Sequence, residues 1–177
     1  AMPRKLSCKL EIGGNTITEV KQLTYAQDWS GDISIGNVVS SYFTATIPTP
    51  SFSLTGGNVT LSMGIGSSVE WVAIGQFAVD PSSVRTKQGY TSFSAYDKLH
   101  DSVNSYVPNS SYAETLQGLC DDVCNQIGIT SASLGVSLSL SKADLAGYTL
   151  RDVLGFIAAY CGKNAYLSAS GGLILKY

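Results

Sequence analysis

The chain holds a single histidine, and two carboxylates stand beside it in sequence: Asp97, His100 and Asp101. An imidazole with a carboxylate to orient it is the base half of an acyl-transfer site, which also needs a serine or cysteine nucleophile within hydrogen-bond reach. Close sequence neighbours rarely build such a triad, and the strained G-x-S-x-G turn that presents a hydrolase serine does not occur. His100 therefore reads as a solvated residue at a strand-to-helix junction. Asp121 and Asp122 are the obvious carboxylate pair for glycoside cleavage. Adjacent positions diverge by roughly 100° on a helix, so the two cannot face one scissile bond.

Cys120 and Cys124, two of four cysteines, lie four apart on what reads as one helix. That spacing makes them neighbours but suits an unstrained disulfide poorly. A metal would need further ligands, and the chain offers one histidine and no C-x-x-C pair. Small buried hydrophobes are the better reading, in a reducing compartment. Gly64-Ile65-Gly66-Ser67-Ser68 lacks both the third glycine of a dinucleotide loop and the Gly-Lys ending of a phosphate loop, and reads as a hairpin tip. No catalytic, cofactor-binding or metal-binding residue is assigned, and the chain is read as a non-enzyme without a cofactor. Tyr25, Trp29, Tyr42, Trp71 and Tyr90 supply enough ring surface for a sugar platform if they share an exposed face. Burial in a core or in subunit contacts is the competing use of the same rings.

The elements that position these residues follow from periodicity. Up to Tyr96 the pattern has period two. Leu6, Cys8, Leu10 and Ile12 share a face before a Gly13-Gly14-Asn15 turn, and Ile17 begins the return. Phe43, Ala45 and Ile47 form a second run, and Val59, Leu61, Met63 and Ile65 a third. Trp71, Ala73, Gly75, Phe77 and Val79 form a fourth, and a last hairpin turns at Lys87-Gln88-Gly89. Short strands with Gly and Pro turns predict an antiparallel barrel or sandwich.

Beyond Asp97 the period changes to three and four. Ser111-Tyr112-Ala113-Glu114 has capping-box spacing, and Leu116, Leu119, Cys120, Val123 and Ile127 form a stripe that Gly128 ends. The spacing predicts a helix over 112–127. Thr149-Leu150-Arg151-Asp152 repeats the signal ahead of Leu150, Val153, Leu154, Ile157 and Ala158, predicting a second helix over 150–161. Ala165 and Leu167, then Ser170-Gly171-Gly172 and Leu173 to Leu175, read as a closing hairpin. The fold class is α+β, with residues 2–97 as a β-barrel domain and residues 98–177 as an α+β domain carrying two helices and a hairpin.

Hydrophobic residues make up 44% of the 177, which excludes disorder, and only 14% are charged, which fits a subunit that hides surface in an assembly. Residues 1–97 carry six Lys or Arg against seven Asp or Glu, and residues 98–177 carry five against six. Neither half has the basic excess that phosphate neutralisation needs, so nucleic-acid binding is not expected. No apolar run is long enough to cross a membrane, no secretory leader is legible, and a soluble protein is expected. Ala1 ahead of Met2 reads as an expression remnant, with Met2 as the native start.

Four phrases carry a resemblance: Gly75-Gln76-Phe77-Ala78-Val79-Asp80, Phe93-Ser94-Ala95-Tyr96-Asp97-Lys98-Leu99, Gly147-Tyr148-Thr149-Leu150-Arg151-Asp152-Val153-Leu154, and Gly171-Gly172-Leu173-Ile174-Leu175. Together, from about Ile33 onward, they resemble the N-terminal hub region of prophage tail proteins, also known as tail-associated lysins or tail endopeptidases. That family is related to the trimeric baseplate hub of contractile phages. The resemblance implies a tube-type barrel over 2–97 with an inserted α+β domain over 98–177, the chain then continuing into a second barrel-like domain, so that this chain reads as a cut piece. It implies a non-catalytic virion part at the tail tip, assembled in the bacterial cytoplasm, three full-length copies bridging the tail tube or distal tail ring to the host-facing tip. Implied partners are further copies of itself, the distal tail protein or tail tube, the tape-measure protein and, indirectly, the host surface, with no membrane insertion. Peptidoglycan-cleaving activity in that family sits in C-terminal extensions. Lacking the second barrel-like domain, the chain is expected to be monomeric or weakly associating in dilute solution. The alternative is a carbohydrate-binding β-sandwich for cell-surface glycans.

Overall fold

The structure is a computed structural model that describes residues 6–28, 34–65, 70–109, 114–140, 145 and 147–177. The chain divides into two compact units, Ala1–Ala26 with Ser41–Asp97, and Gln27–Ser40 with Lys98–Tyr177.

The strands are β1 (Leu6–Ile12), β2 (Asn15–Ile17), β3 (Gln22–Asp28), β4 (Ser40–Pro48), β5 (Asn58–Ile65), β6 (Val72–Val79), β7 (Arg85–Lys87) and β8 (Tyr90–Tyr96). They form one sheet in the order β2-β1-β5-β6-β8-β4-β3, with β7 added beside β8. Gln88 and Gly89, at φ +52° and +80°, make the β7–β8 connection a two-residue turn of the kind that matches strand twist. Most of the alternating apolar positions turn inward, while Leu6 and Ile65 at the strand ends are exposed. Leu10, Ile12, Phe43, Ala45, Ile47, Val59, Leu61, Phe77, Val79, Phe93 and Ala95 make one core, in which Phe43 meets Phe77 edge-on at 5.0 Å between ring centroids.

The sheet is not closed into a barrel. Among the described residues no pairing joins β2 to β3, so the order is an open path. β6 touches β8 through only two residue pairs, Ala78↔Tyr96 and Val79↔Ala95. There the chain leaves the ladder in a 3-10 turn, Pro81–Ser83, whose start is capped by Asp80 accepting from the Ser82 N–H at 2.8 Å. A second irregularity moves a side chain. Leu61 pairs with Gly75 but Ser62 pairs with Ala73, so Ile74 is an extra residue and the faces exchange. Val72, not Trp71, shares the face of Met63, which breaks the single run expected from Trp71 to Val79.

In the second unit, α1 (Leu116–Ile127) and α2 (Leu150–Tyr160) precede a hairpin of β9 (Asn164–Leu167) and β10 (Leu173–Lys176). Both predicted stripes are buried and meet each other, with Leu99, Val38, Ala165 and Leu173 completing the core. α2 opens with the expected box: the Asp152 N–H donates to Thr149 Oγ1 at 3.1 Å, and the Thr149 N–H donates to Asp152 Oδ2 at 2.9 Å. α1 starts later than predicted. Its cap is Thr115, whose hydroxyl accepts from the Gly118 N–H at 3.0 Å, while Ser111, Tyr112 and Ala113 lie outside the described residues. The reason is tertiary: Leu116 N–H donates to the Leu138 carbonyl and Leu140 N–H to the Glu114 carbonyl, committing 114–116 to an extended pairing that the helix must follow. Gly128 at φ +79° ends α1 as expected.

Residues 34–40 belong to this second unit. The Val39 N–H donates to the Ala165 carbonyl at 2.9 Å, the Ala165 N–H returns to the Asn37 carbonyl at 2.8 Å, and Asn37 N–H donates to Asn164 Oδ1 at 2.9 Å. The segment thus runs beside β9, with Val38 paired parallel to Ala165. It lies flat on α2 because two glycines face each other there. A Cβ built on Gly155 would come within 2.9 Å of the Gly36 carbonyl oxygen, and one on Gly36 within 2.8 Å of Ala159 Cβ.

Candidate functional site

His100 lies exposed in the 3-10 stretch Lys98–Val103. Asp97 is buried, and its carboxylate accepts from the Ser41 N–H at 2.6 Å, an assignment to backbone tethering. Asp121 and Asp122 diverge as helical geometry requires. Asp121 accepts from Gln117 Nε2 at 2.9 Å, whereas Asp122 is buried and accepts from the Tyr106 hydroxyl at 2.7 Å and from Gln126 Nε2 at 3.2 Å. That carboxylate ties the 104–107 segment to α1.

Cys120 and Cys124 are buried free thiols in the core of the second unit. Their mutual hydrogen bond, with burial second, pushes the Cys124 thiol well above its ordinary value. The same bond draws Cys120 the other way against its own burial. Among the described residues no group of three His, Cys, Asp or Glu is placed to hold a metal ion. Gly64 and Ile65 are β5 residues, and Gly66, Ser67 and Ser68 lie outside the described residues.

The structure disperses the aromatic candidates. Tyr25 packs edge-on against Phe77 and donates to Ser41 Oγ at 3.1 Å, so it belongs to the core margin. Tyr42 stacks on Tyr96 at 5.7 Å at one end of the β4–β8 ladder, while Tyr90 pairs with Pro48 at the other end and carries the Lys21 ammonium on its ring. Trp71, moved by the extra residue at Ile74, lies under the Lys9 ammonium at 5.6 Å. Trp29 lies outside the described residues. The four described rings do not form one platform.

Two surface features remain. The first is the β3 edge: among the described residues β3 has a neighbour on one side only, and its seven residues, Gln22 to Asp28, contain neither lysine nor proline to blunt it. The second was not anticipated. α2 exposes Phe156 and Tyr160 on the side away from its buried stripe, with Tyr148 just before the helix and Ile35 alongside. The sequence signal was present, because a helix apolar on more than one face is built to be covered on more than one face.

No family model matches the chain, and no curated protein matches it in sequence. Solved structures do match in fold. The tail protein from Neisseria meningitidis MC58 superposes with a TM-score of 0.65 at 17% identity, over 96% of this chain and 50% of that one. The 43 kDa tail protein of prophage MuSo2 from Shewanella oneidensis superposes with a TM-score of 0.55 at 16% identity, over 96% and 52%. The likeness is one of fold. The chain spans about half the length of each of these tail proteins. No helix among the described residues is long and apolar enough to cross a membrane.

Proposed function

We propose that the chain is a structural part of a phage or prophage tail, acting in the tail-tip hub that joins the tail tube or distal tail ring to the host-facing tip. The observation that carries this reading is the fold match along 96% of the chain to two tail proteins, both halves included. The dispersal of candidate catalytic and sugar-binding side chains supports a scaffold over an enzyme or a glycan module. In the full-length protein three copies close a ring around the tail channel, and the open β3 edge is the device by which one copy pairs with the next. The distal tail protein or tail tube and the tape-measure protein are the partners above and within that ring.

Immunogold labelling tests the reading. Antibody raised against this chain should decorate the distal end of tails in particles induced from the host strain. Labelling along the tube, at the head, or on no particle would remove the hub role.

A further inference from the structure

A groove of about 300 Å³ runs along α2 within the second unit. Its floor is Gly155 and Gly36, bare because neither position has room for a Cβ, and its rim is Ile35 and Phe156, both more than half exposed. Tyr148 stands edge-on against Phe156 at 5.3 Å and extends the apolar rim. The volume lies at the small end of ligand pockets and suits a few side chains of a segment.

The groove also carries a cation, Arg151, that forms no ion pair among the described residues. Arg151 lines it, half-buried, and among the described residues its guanidinium donates to neutral hydroxyls, through Nη2 to Ser40 Oγ at 3.0 Å and through Nε to Ser102 Oγ at 3.4 Å. The carboxylate next in sequence, Asp152, also lines the groove, but it is held by the Thr149 N–H at 2.9 Å and the Thr149 hydroxyl at 2.7 Å as the helix cap. The ion pair found among the described residues, Lys9 with Glu11, lies elsewhere. A guanidinium has five N–H donors and binds a carboxylate through two at once, a bond about twice as strong as one to a neutral acceptor.

We propose that this groove docks a partner protein segment that presents one carboxylate between apolar side chains, the carboxylate on Arg151 and the apolar groups against Ile35, Phe156 and the bare glycines. The site shares no residue with the β3 edge, so its test is independent of the ring-assembly reading.

The test is a titration of the isotope-labelled chain followed by amide NMR shifts, with acetyl-Leu-Glu-Phe-amide and acetyl-Leu-Gln-Phe-amide as probes. The glutamate peptide should move the Gly36, Gly155 and Phe156 amides with a Kd of about 1–10 mM, about fivefold tighter than the glutamine peptide. In Arg151→Met the two peptides should bind alike. Because the peptide comparison is made first on the unaltered protein, a folding defect in the variant cannot decide the outcome. Equal binding of both peptides to the unaltered chain, a preference that survives in Arg151→Met, or no shift at these amides at about 10 mM would overturn the proposal. So would shifts at the same amides produced by phosphatidylglycerol vesicles and by neither peptide, which would make the groove a lipid site.

Discussion

Replacing Gly155 by alanine sets two physical effects against each other, and the sign of the result reports whether residues 34–40 rest on α2. Gly155 lies inside α2, where alanine is the better helix former by about 1 kcal/mol. Its new Cβ, however, would stand 2.9 Å from the Gly36 carbonyl oxygen, a backbone atom that cannot swing aside. Either the segment lifts, stretching the Gly36 N–H bond to the Lys163 carbonyl and the Asn37 N–H bond to Asn164, or the helix shifts in its core. Overpacking of this kind costs about 1–3 kcal/mol, so the net expectation is a loss of about 1 kcal/mol. Gly36→Ala should lose more, about 2–4 kcal/mol, because it adds a backbone at φ +93° to a contact of 2.8 Å with Ala159 Cβ. Urea unfolding followed at 222 nm reads this unit directly, since both α-helices lie in it. A Gly155→Ala chain more stable than the parent would refute the packing argument, for it would mean that helix propensity was gained without a clash.

Thr149→Ala should lower the stability of the same unit by about 1 kcal/mol, with Thr149→Ser nearly neutral, because the capping hydroxyl and not the methyl is what the Asp152 N–H needs. Equal losses in both variants would contradict that account. The Cys124 thiol titrates above its ordinary 9.0, so the native state holds the proton longer than the unfolded chain. Its contribution is complete below that pH and shrinks as pH rises through and beyond it, by at most about 1.4 kcal/mol per pH unit. Urea midpoints from pH 8 to 10 (about the range that keeps backbone chemistry benign) should therefore fall more steeply in the parent than in Cys124→Ala. Incubation with purified peptidoglycan, casein and ester substrates should release nothing above buffer, and activity lost in His100→Ala would show a base that the geometry hides. Sedimentation at micromolar concentration should give a species near the 18.6 kDa of one chain; a stable trimer would mean that this chain assembles by itself.

Interactions between positions two, three or four apart are written in the sequence itself. The inward sets of β1, β4 and β5, the stripes of α1 and α2, the Thr149 box, the Gly128 stop and the Lys87-Gln88-Gly89 turn were legible because a period of two or 3.6 and a preferred φ are local properties. The divergence of Asp121 and Asp122 was legible for the same reason, since adjacent helical positions point roughly 100° apart. What lay beyond reach depends on partners distant in sequence. An extra residue at Ile74 is defined only against β5, and it alone sends Trp71 to the face of Lys9. Thr115, and not the predicted Ser111, caps α1, because residues 138–140 pair with Glu114 and Thr115 immediately before the helix. The short β6–β8 pairing of two residue pairs, after which the chain turns away through the Asp80 cap, depends likewise on strands distant in sequence. Residues 34–40 leave the strand-rich half for β9 and α2 because Gly36 and Gly155 allow two backbones to touch, and their separation of 119 positions hides that pairing from any local pattern. The same pairing brings Ile35 beside Phe156 and Ser40 beside Arg151, so the groove exists only once the chain has folded.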